Sequence, residues 1–184
     1  MNYKDVIIKD LYRWEAKVNK KTFYKYFFLQ EFKFIYYKRK CEQYRNKSRL
    51  LFLFYRIIYQ HYQIKYNTQI PAKVEIGKGF KLGHVGGIVI NPLAVIGNNV
   101  DILNGVLIGV EFRGKREGAP QIGNCVWIGT NSAIVGKIKI GNNVLIAPNS
   151  LVNFDVPDNS IVAGNPAKII PNKNATYKYI NNTV

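Results

Sequence analysis

Two rhythms of apolar residues divide the chain. From Met1 to about Tyr66 they recur at helical spacing: Phe27, Phe28, Phe32, Ile35 and Tyr36, then Leu50, Leu51, Phe54, Ile57 and Ile58. A side chain every three to four residues lines one face of an α-helix. No Gly or Pro interrupts the chain before Pro71, and these are the usual helix stops. The pattern predicts two or three helices with a break near Asn46-Lys47-Ser48. It assigns the aromatic stripe to packing between helices.

Near Ile70 the rhythm changes to six. Ile70, Ile76, Leu82 and Ile88 share that spacing, as do Ile96, Ile102 and Ile108, and then Ile122, Ile128, Ile134, Ile140, Ile146 and Val152. A small residue often follows, as in Ile76-Gly77, Ile122-Gly123 and Ile146-Ala147, and a second compact side chain often stands four places on, as at Val74, Val100, Val126 and Ser132. A period of six fits neither a helix nor a simple hairpin sheet. It marks a β-helix, in which each unit is a short strand plus a corner and three units close a triangular coil. The inward aliphatic stacks on its equivalent in the next coil, so the core is continuous and no coil is stable alone. Asn98-Asn99 and Asn142-Asn143 suit the corners, where positive φ is needed.

The register slips twice, by two residues between Ile88 and Ile96 and by two more than a multiple of six between Ile108 and Ile122. The second gap, Val110 to Pro120, is polar and contains glycine, so it reads as a loop thrown out of the coil. Three segments follow: a helical region over 1–66, a repeat domain over 67–170 with an external loop at about 110–120, and a tail over 171–184.

Charge adds a second asymmetry. Residues 1–66 hold 16 basic and 5 acidic side chains, a net of +11 out of +16 for the chain, and 11 of its 13 tyrosines. Such a segment attracts polyanions or the surface of an anionic membrane. No nucleic-acid motif accompanies the charge, which disfavours nucleic acid. Cys41 and Cys125 are too far apart to read as a disulfide framework or a metal spacing and suit a reducing compartment. No leader peptide and no apolar run of spanning length is visible. The expected location is cytoplasmic, with peripheral contact at the inner membrane face through residues 1–66.

Three motifs carry a family resemblance: Ile76-Gly77-Lys78-Gly79-Phe80-Lys81-Leu82-Gly83-His84-Val85-Gly86-Gly87-Ile88, the run from Ile122-Gly123-Asn124 to Ile146-Ala147-Pro148-Asn149-Ser150, and the closing Ala163-Gly164-Asn165-Pro166-Ala167-Lys168. Over about Ile70 to Ile170 the chain resembles the hexapeptide-repeat acyltransferases, in particular the serine acetyltransferase branch and its relatives that acetylate bacterial surface polysaccharides. The resemblance implies a left-handed parallel β-helix, acetyl-CoA as co-substrate, no metal, and a homotrimer with active sites between subunits. It makes His84 the catalytic base. Imidazole suits removal of a hydroxyl proton at neutral pH. It places coenzyme A along Gly109, Gly129, Thr130, Ala147 and Lys168, with Lys168 a charge partner for a phosphate. His61 reads as structural or surface.

The departures set the expected acceptor. Serine acetyltransferases carry an aspartate before the base, where this chain has Gly83. They carry an Arg-His pair before a loop proline, where Gly118-Ala119 stand. They carry an upstream aspartate that orients the base, where Gln69 stands, so either Gln69 or a backbone carbonyl would orient His84. These absences favour transfer to a sugar hydroxyl of a capsule, O-antigen or exopolysaccharide unit over transfer to serine, which stands as the alternative. A non-enzymatic basic β-helix that binds polyanions is the reading from another class. Two histidines, one outside the repeat, exclude the three-histidine zinc site of a hexapeptide carbonic anhydrase.

Overall fold

The computed structural model describes residues 3–184. Met1 and Asn2, where the expected helical region begins, lie outside the described residues. Four helices come first, more than the two or three expected: α1 (Tyr3–Glu15), α2 (Lys20–Phe27), α3 (Gln30–Tyr44) and α4 (Arg49–Lys65). The added boundaries come from residues other than Gly or Pro. Asn19 caps α2 by accepting from the Thr22 amide, and the Thr22 hydroxyl accepts from the Asn19 amide, a reciprocal capping box. Ser48 accepts from the Leu51 amide and starts α4 at the break foreseen there.

The rest is a parallel β-helix. Its first face stacks β1 (Thr68–Gln69), β4 (Ile88–Ile90), β7 (Leu107–Gly109), β10 (Ala133–Val135) and β13 (Leu151–Val152). The second stacks β2 (Glu75–Ile76), β5 (Val95–Ile96), β8 (Gln121–Ile122) and β11 (Lys139–Ile140). The third stacks β3 (Lys81–Leu82), β6 (Asp101–Ile102), β9 (Val126–Ile128), β12 (Val144–Ile146) and β14 (Ser160–Gly164), and β15 (Ala167–Pro171) folds back antiparallel on β14.

The register resolves three inward columns: Ile70, Ile90, Ile108, Ile134 and Val152; Ile76, Ile96, Ile122, Ile140 and Val156; Leu82, Ile102, Ile128, Ile146 and Val162. All are buried. Each fully buried aliphatic side chain contributes roughly 1.5–3 kcal/mol relative to exposure.

Two expectations about phase are corrected. Ile88 pairs with Thr68 and belongs to the companion inward row, two places before the column residue Ile90. Ile88 is aliphatic and stands six places after Leu82, so a spacing of six could not tell it from a column residue, although its row also holds Thr68, Val106, Ser132 and Ser150. The extra residues therefore lie between Leu82 and Ile90, at the corner that carries His84, and not after Ile88. The gap from Ile108 to Ile122 is a single enlarged corner and contains no further repeat unit. Glu111 and Gly118 bridge its base through mutual backbone bonds of 3.0 and 2.9 Å.

Open coil ends leave carbonyls without partners, a cost in buried surroundings. At the first coil the helices supply donors. Arg39 donates to the carbonyls of Ile76 at 2.8 Å and Gly77 at 2.6 Å, and to Asp10 at 2.8 Å. Lys38 donates to Val74 O at 3.0 Å and pairs with Glu42. Arg13 donates to Gly79 O at 2.6 Å and to Asp101 at 2.7 Å. Burial pushes the Asp10 and Asp101 carboxyls up, opposed by the guanidinium beside each. Part of the basic excess of residues 1–66 thus serves the junction.

Candidate active site

His84 lies on the corner between β3 and β4, and its side chain is exposed. The corner is enlarged, and backbone bonds hold it firmly. The Gly83 amide donates to Ile102 O at 2.9 Å, Gly86 to the Thr68 hydroxyl at 3.0 Å and Gly87 to Asn67 O at 2.7 Å, and Gly86 O accepts from Gly105 at 2.8 Å. Gly86 and Gly87 have φ of 109° and 66°, a region that L side chains rarely enter. A Cβ at Gly87 would also stand 3.3 Å from the Gly105 Cα. The glycines let the chain turn twice and present the imidazole outward. Among the described residues no hydrogen bond reaches the His84 ring. Gln69, exposed on β1, makes none to it.

Successive coils continue this corner. From the third-face register, Gly83, Leu103, Gly129, Ala147 and Ala163 form one row, and His84, Asn104, Thr130, Pro148 and Gly164 the next. Thr130 donates to Asn104 Oδ1 at 3.2 Å, and its carbonyl accepts from Asn149 at 2.9 Å. A Cβ at Gly129 would meet the Pro148 nitrogen at 2.6 Å, so coil stacking alone requires glycine there. Thr130 and Ala147 thus share an edge with His84, and Lys168 lies exposed beyond them on β15. Gly109 is elsewhere: it ends β7 at the far edge of the first face, beside the 110–120 loop. The structure brings Gly129, Thr130 and Ala147 to the edge of His84 and leaves Gly109 apart within one chain.

Asn67, which anchors the corner, also lines a cleft of about 450 Å³ with Arg56, Gln60, Gln63, Ile64, Gln69 and Pro71. The sequence reading missed this cleft. Its residues sit on two elements of different period, and only the α4–β1 junction joins them. Among the described residues no group of three or more His, Cys, Asp and Glu side chains could hold a metal ion.

Comparison with known proteins gives this edge a context. Residues 119–153 match the family model for bacterial transferase hexapeptide (six repeats). The chain is 44% identical over 105 residues to serine acetyltransferase 4 of Arabidopsis thaliana, covering 57% of this chain and 30% of that protein. It is 34% identical over 107 residues to serine acetyltransferase of Haemophilus influenzae, covering 58% of this chain and 40% of that protein. The chain therefore spans less than half the length of these curated relatives. Among solved structures, serine acetyltransferase of Brucella abortus superposes with a TM-score of 0.77 at 29% identity, over 92% of this chain and 69% of that one. The same enzyme in complex with coenzyme A gives 0.77 at 28%, over 92% and 68%, and the soybean enzyme complexed with serine gives 0.76 at 28%, over 91% and 69%.

These findings overturn the expectation of a polysaccharide acceptor, because the relatives in sequence and in fold are serine acetyltransferases. That expectation rested on Gly83, Gln69 and Ala119. Residues 119–153 carry the hexapeptide repeat of bacterial transferases on a parallel β-helix with N-terminal helices, and over about 105 residues the chain is similar in sequence to serine acetyltransferases.

Proposed function

We propose that the chain is an acetyl-CoA-dependent serine O-acetyltransferase with His84 as its general base. The observation that carries the reading is the enlarged, glycine-hinged corner that presents His84 on a β-helix homologous to serine acetyltransferases. The His84 imidazole accepts the serine hydroxyl proton as Oγ attacks the thioester carbonyl carbon. The new C–O bond forms, the C–S bond breaks, and the imidazolium returns its proton to the departing thiolate. The products are O-acetylserine and coenzyme A.

Acetyl-CoA runs along the edge above His84. Ala147 offers a small side chain beside the pantetheine arm, Thr130 lies next to it, Gly129 lets the coils stack beneath, and Lys168 offers a mobile cation to a phosphate. Gly109, at the opposite edge of the first face, would meet the cofactor only where a second subunit abuts the first. A homotrimer with sites between subunits satisfies this. The outward row of the first face supports it: Gln69, Val89, Leu107, Ala133 and Leu151 carry no charge. The acceptor enters the cleft at the α4–β1 junction. There amide side chains and the Arg56 guanidinium pair with the charged ends of an amino acid, in place of the groups absent at Gly83 and Ala119.

The test is thiol release from acetyl-CoA with and without L-serine. Serine-dependent release is expected, reduced about 10²–10⁴-fold in His84→Ala. Release that ignores serine, or a fully active His84→Ala, rejects the proposal.

A further inference from the structure

Helix α4 faces the wrong way for an ordinary surface helix. Its inner side carries Phe52, Tyr55, Tyr59, Tyr62 and Tyr66, packed against the rest of the protein. Tyr62 stacks on Tyr37 with ring centroids 5.2 Å apart, Tyr55 stacks on Tyr44 at 5.3 Å, and the buried Tyr59 hydroxyl donates to Ile70 O at 2.6 Å. Its outer side carries Leu50, Leu53, Phe54, Ile57 and Ile64, with exposures of 81%, 47%, 56%, 71% and 74%. Leu50, Leu53, Phe54 and Ile57 follow helical spacing and form one stripe about 10 Å long at 1.5 Å per residue; Ile64 lies beyond the exposed Gln60 and His61 and lines the cleft at the α4–β1 junction. A contiguous exposed apolar stripe marks an interaction surface.

The charges identify the partner. No Asp or Glu occurs between Glu42 and Glu75. Arg45, Lys47 and Arg49 are exposed around the N-terminus of α4, and Lys65 is exposed at its other end. Cations at a helix N-terminus oppose the helix dipole, so the local helix gains nothing from them. A second copy laid stripe to stripe would bring the same cations together, each within a region of net +11. An anionic lipid surface fits both features: it takes the aliphatic stripe into its headgroup boundary and draws in the cations. No helix among the described residues is long and apolar enough to cross a membrane.

We propose that α4 docks the protein on an anionic lipid surface, with Leu50, Leu53, Phe54 and Ile57 entering the interface and Arg45, Lys47, Arg49 and Lys65 meeting the headgroups. The docking goes beyond the acetyl transfer proposed above and does not depend on it.

Flotation of the full chain with phosphatidylcholine vesicles, with and without phosphatidylglycerol, tests the inference. Binding to the anionic vesicles is expected to exceed binding to pure phosphatidylcholine by at least about tenfold at low salt and to weaken as salt rises. The double variant Leu50→Ser/Ile57→Ser removes apolar area without touching a packed residue. It is expected to lose about tenfold in vesicle binding with an unchanged circular dichroism spectrum and melting temperature. Equal binding to both vesicles, or binding indifferent to the double variant, overturns the proposal. So does self-association in sedimentation that the double variant abolishes without any vesicle binding, which would assign the stripe to a second copy.

Discussion

Arg39 joins three groups, the Asp10 carboxylate, which also accepts from the Phe80 amide, and the carbonyls of Ile76 and Gly77. Both charged side chains are almost wholly buried, at 1% and 0% exposure. The pair adds little over an apolar substitute of equal shape, but removing one member leaves an uncompensated charge. Arg39→Met is therefore expected to cost about 3–5 kcal/mol, read as a shift in urea midpoint. The Asp10→Asn/Arg39→Met double variant is expected to recover part of that loss, and full additivity would count against the coupling. Cys41 gives a second test. Burial pushes its thiol from 9.0 to about 11. The folded state then keeps the proton where the unfolded chain has lost it. The stability linked to this group is full below pH 9.0 and is lost as pH rises through about 11. A urea midpoint that falls over this range, less steeply in Cys41→Ala, is the expected result. Slow alkylation of Cys41 at neutral pH follows from the same shift.

At the level of elements, the sequence was clearest where one physical rule acted alone. Within the coils every column position must be aliphatic, and the spacing of six named almost every one. It failed at Ile88 because that aliphatic side chain sits six places after Leu82 yet fills a neighbouring inward row that elsewhere on this face holds Thr68, Ser132 and Ser150. That error moved the insertion away from the corner carrying His84, the one place where its position mattered for function. In α4 the rule inverted. The spacing of Leu50, Phe54 and Ile57 marked a true helical face, but tyrosines took the inner side, where Tyr59 reaches a carbonyl that an aliphatic residue would leave unpaired. The cleft holding Arg56, Gln63, Asn67 and Gln69 was illegible because it forms across a helix–strand junction. The column assignment predicts that Ile128→Ala, at the middle of the third face and fully buried, costs about 2–5 kcal/mol by thermal or urea melts. A loss below 1 kcal/mol would mean that the stack is loose at its centre.

Over the whole molecule, the segment after β15 ties the last coil to the first. Thr176 bonds to Asn143 at 2.7 Å, Tyr179 packs on Trp127 with ring centroids 4.8 Å apart, and Arg13 of α1 donates to Asn181 O at 2.8 Å. Val184 exchanges two bonds with the side chain of Asn99, at 2.9 and 3.0 Å. A solenoid otherwise passes stability only between neighbouring coils. This strap adds contacts that skip coils and reach the helical region, so α1, the first coil and the upper coils should open together. Removing residues 174–184 is expected to split one unfolding transition into two, to redden Trp127 emission, and to speed amide exchange in α1 ahead of β12 and β14. If exchange in α1 stayed as slow as in the intact chain, the buried Arg13–Asp101 and Arg39–Asp10 pairs alone would suffice to hold the helices. The strap would then act only on the third face that it covers.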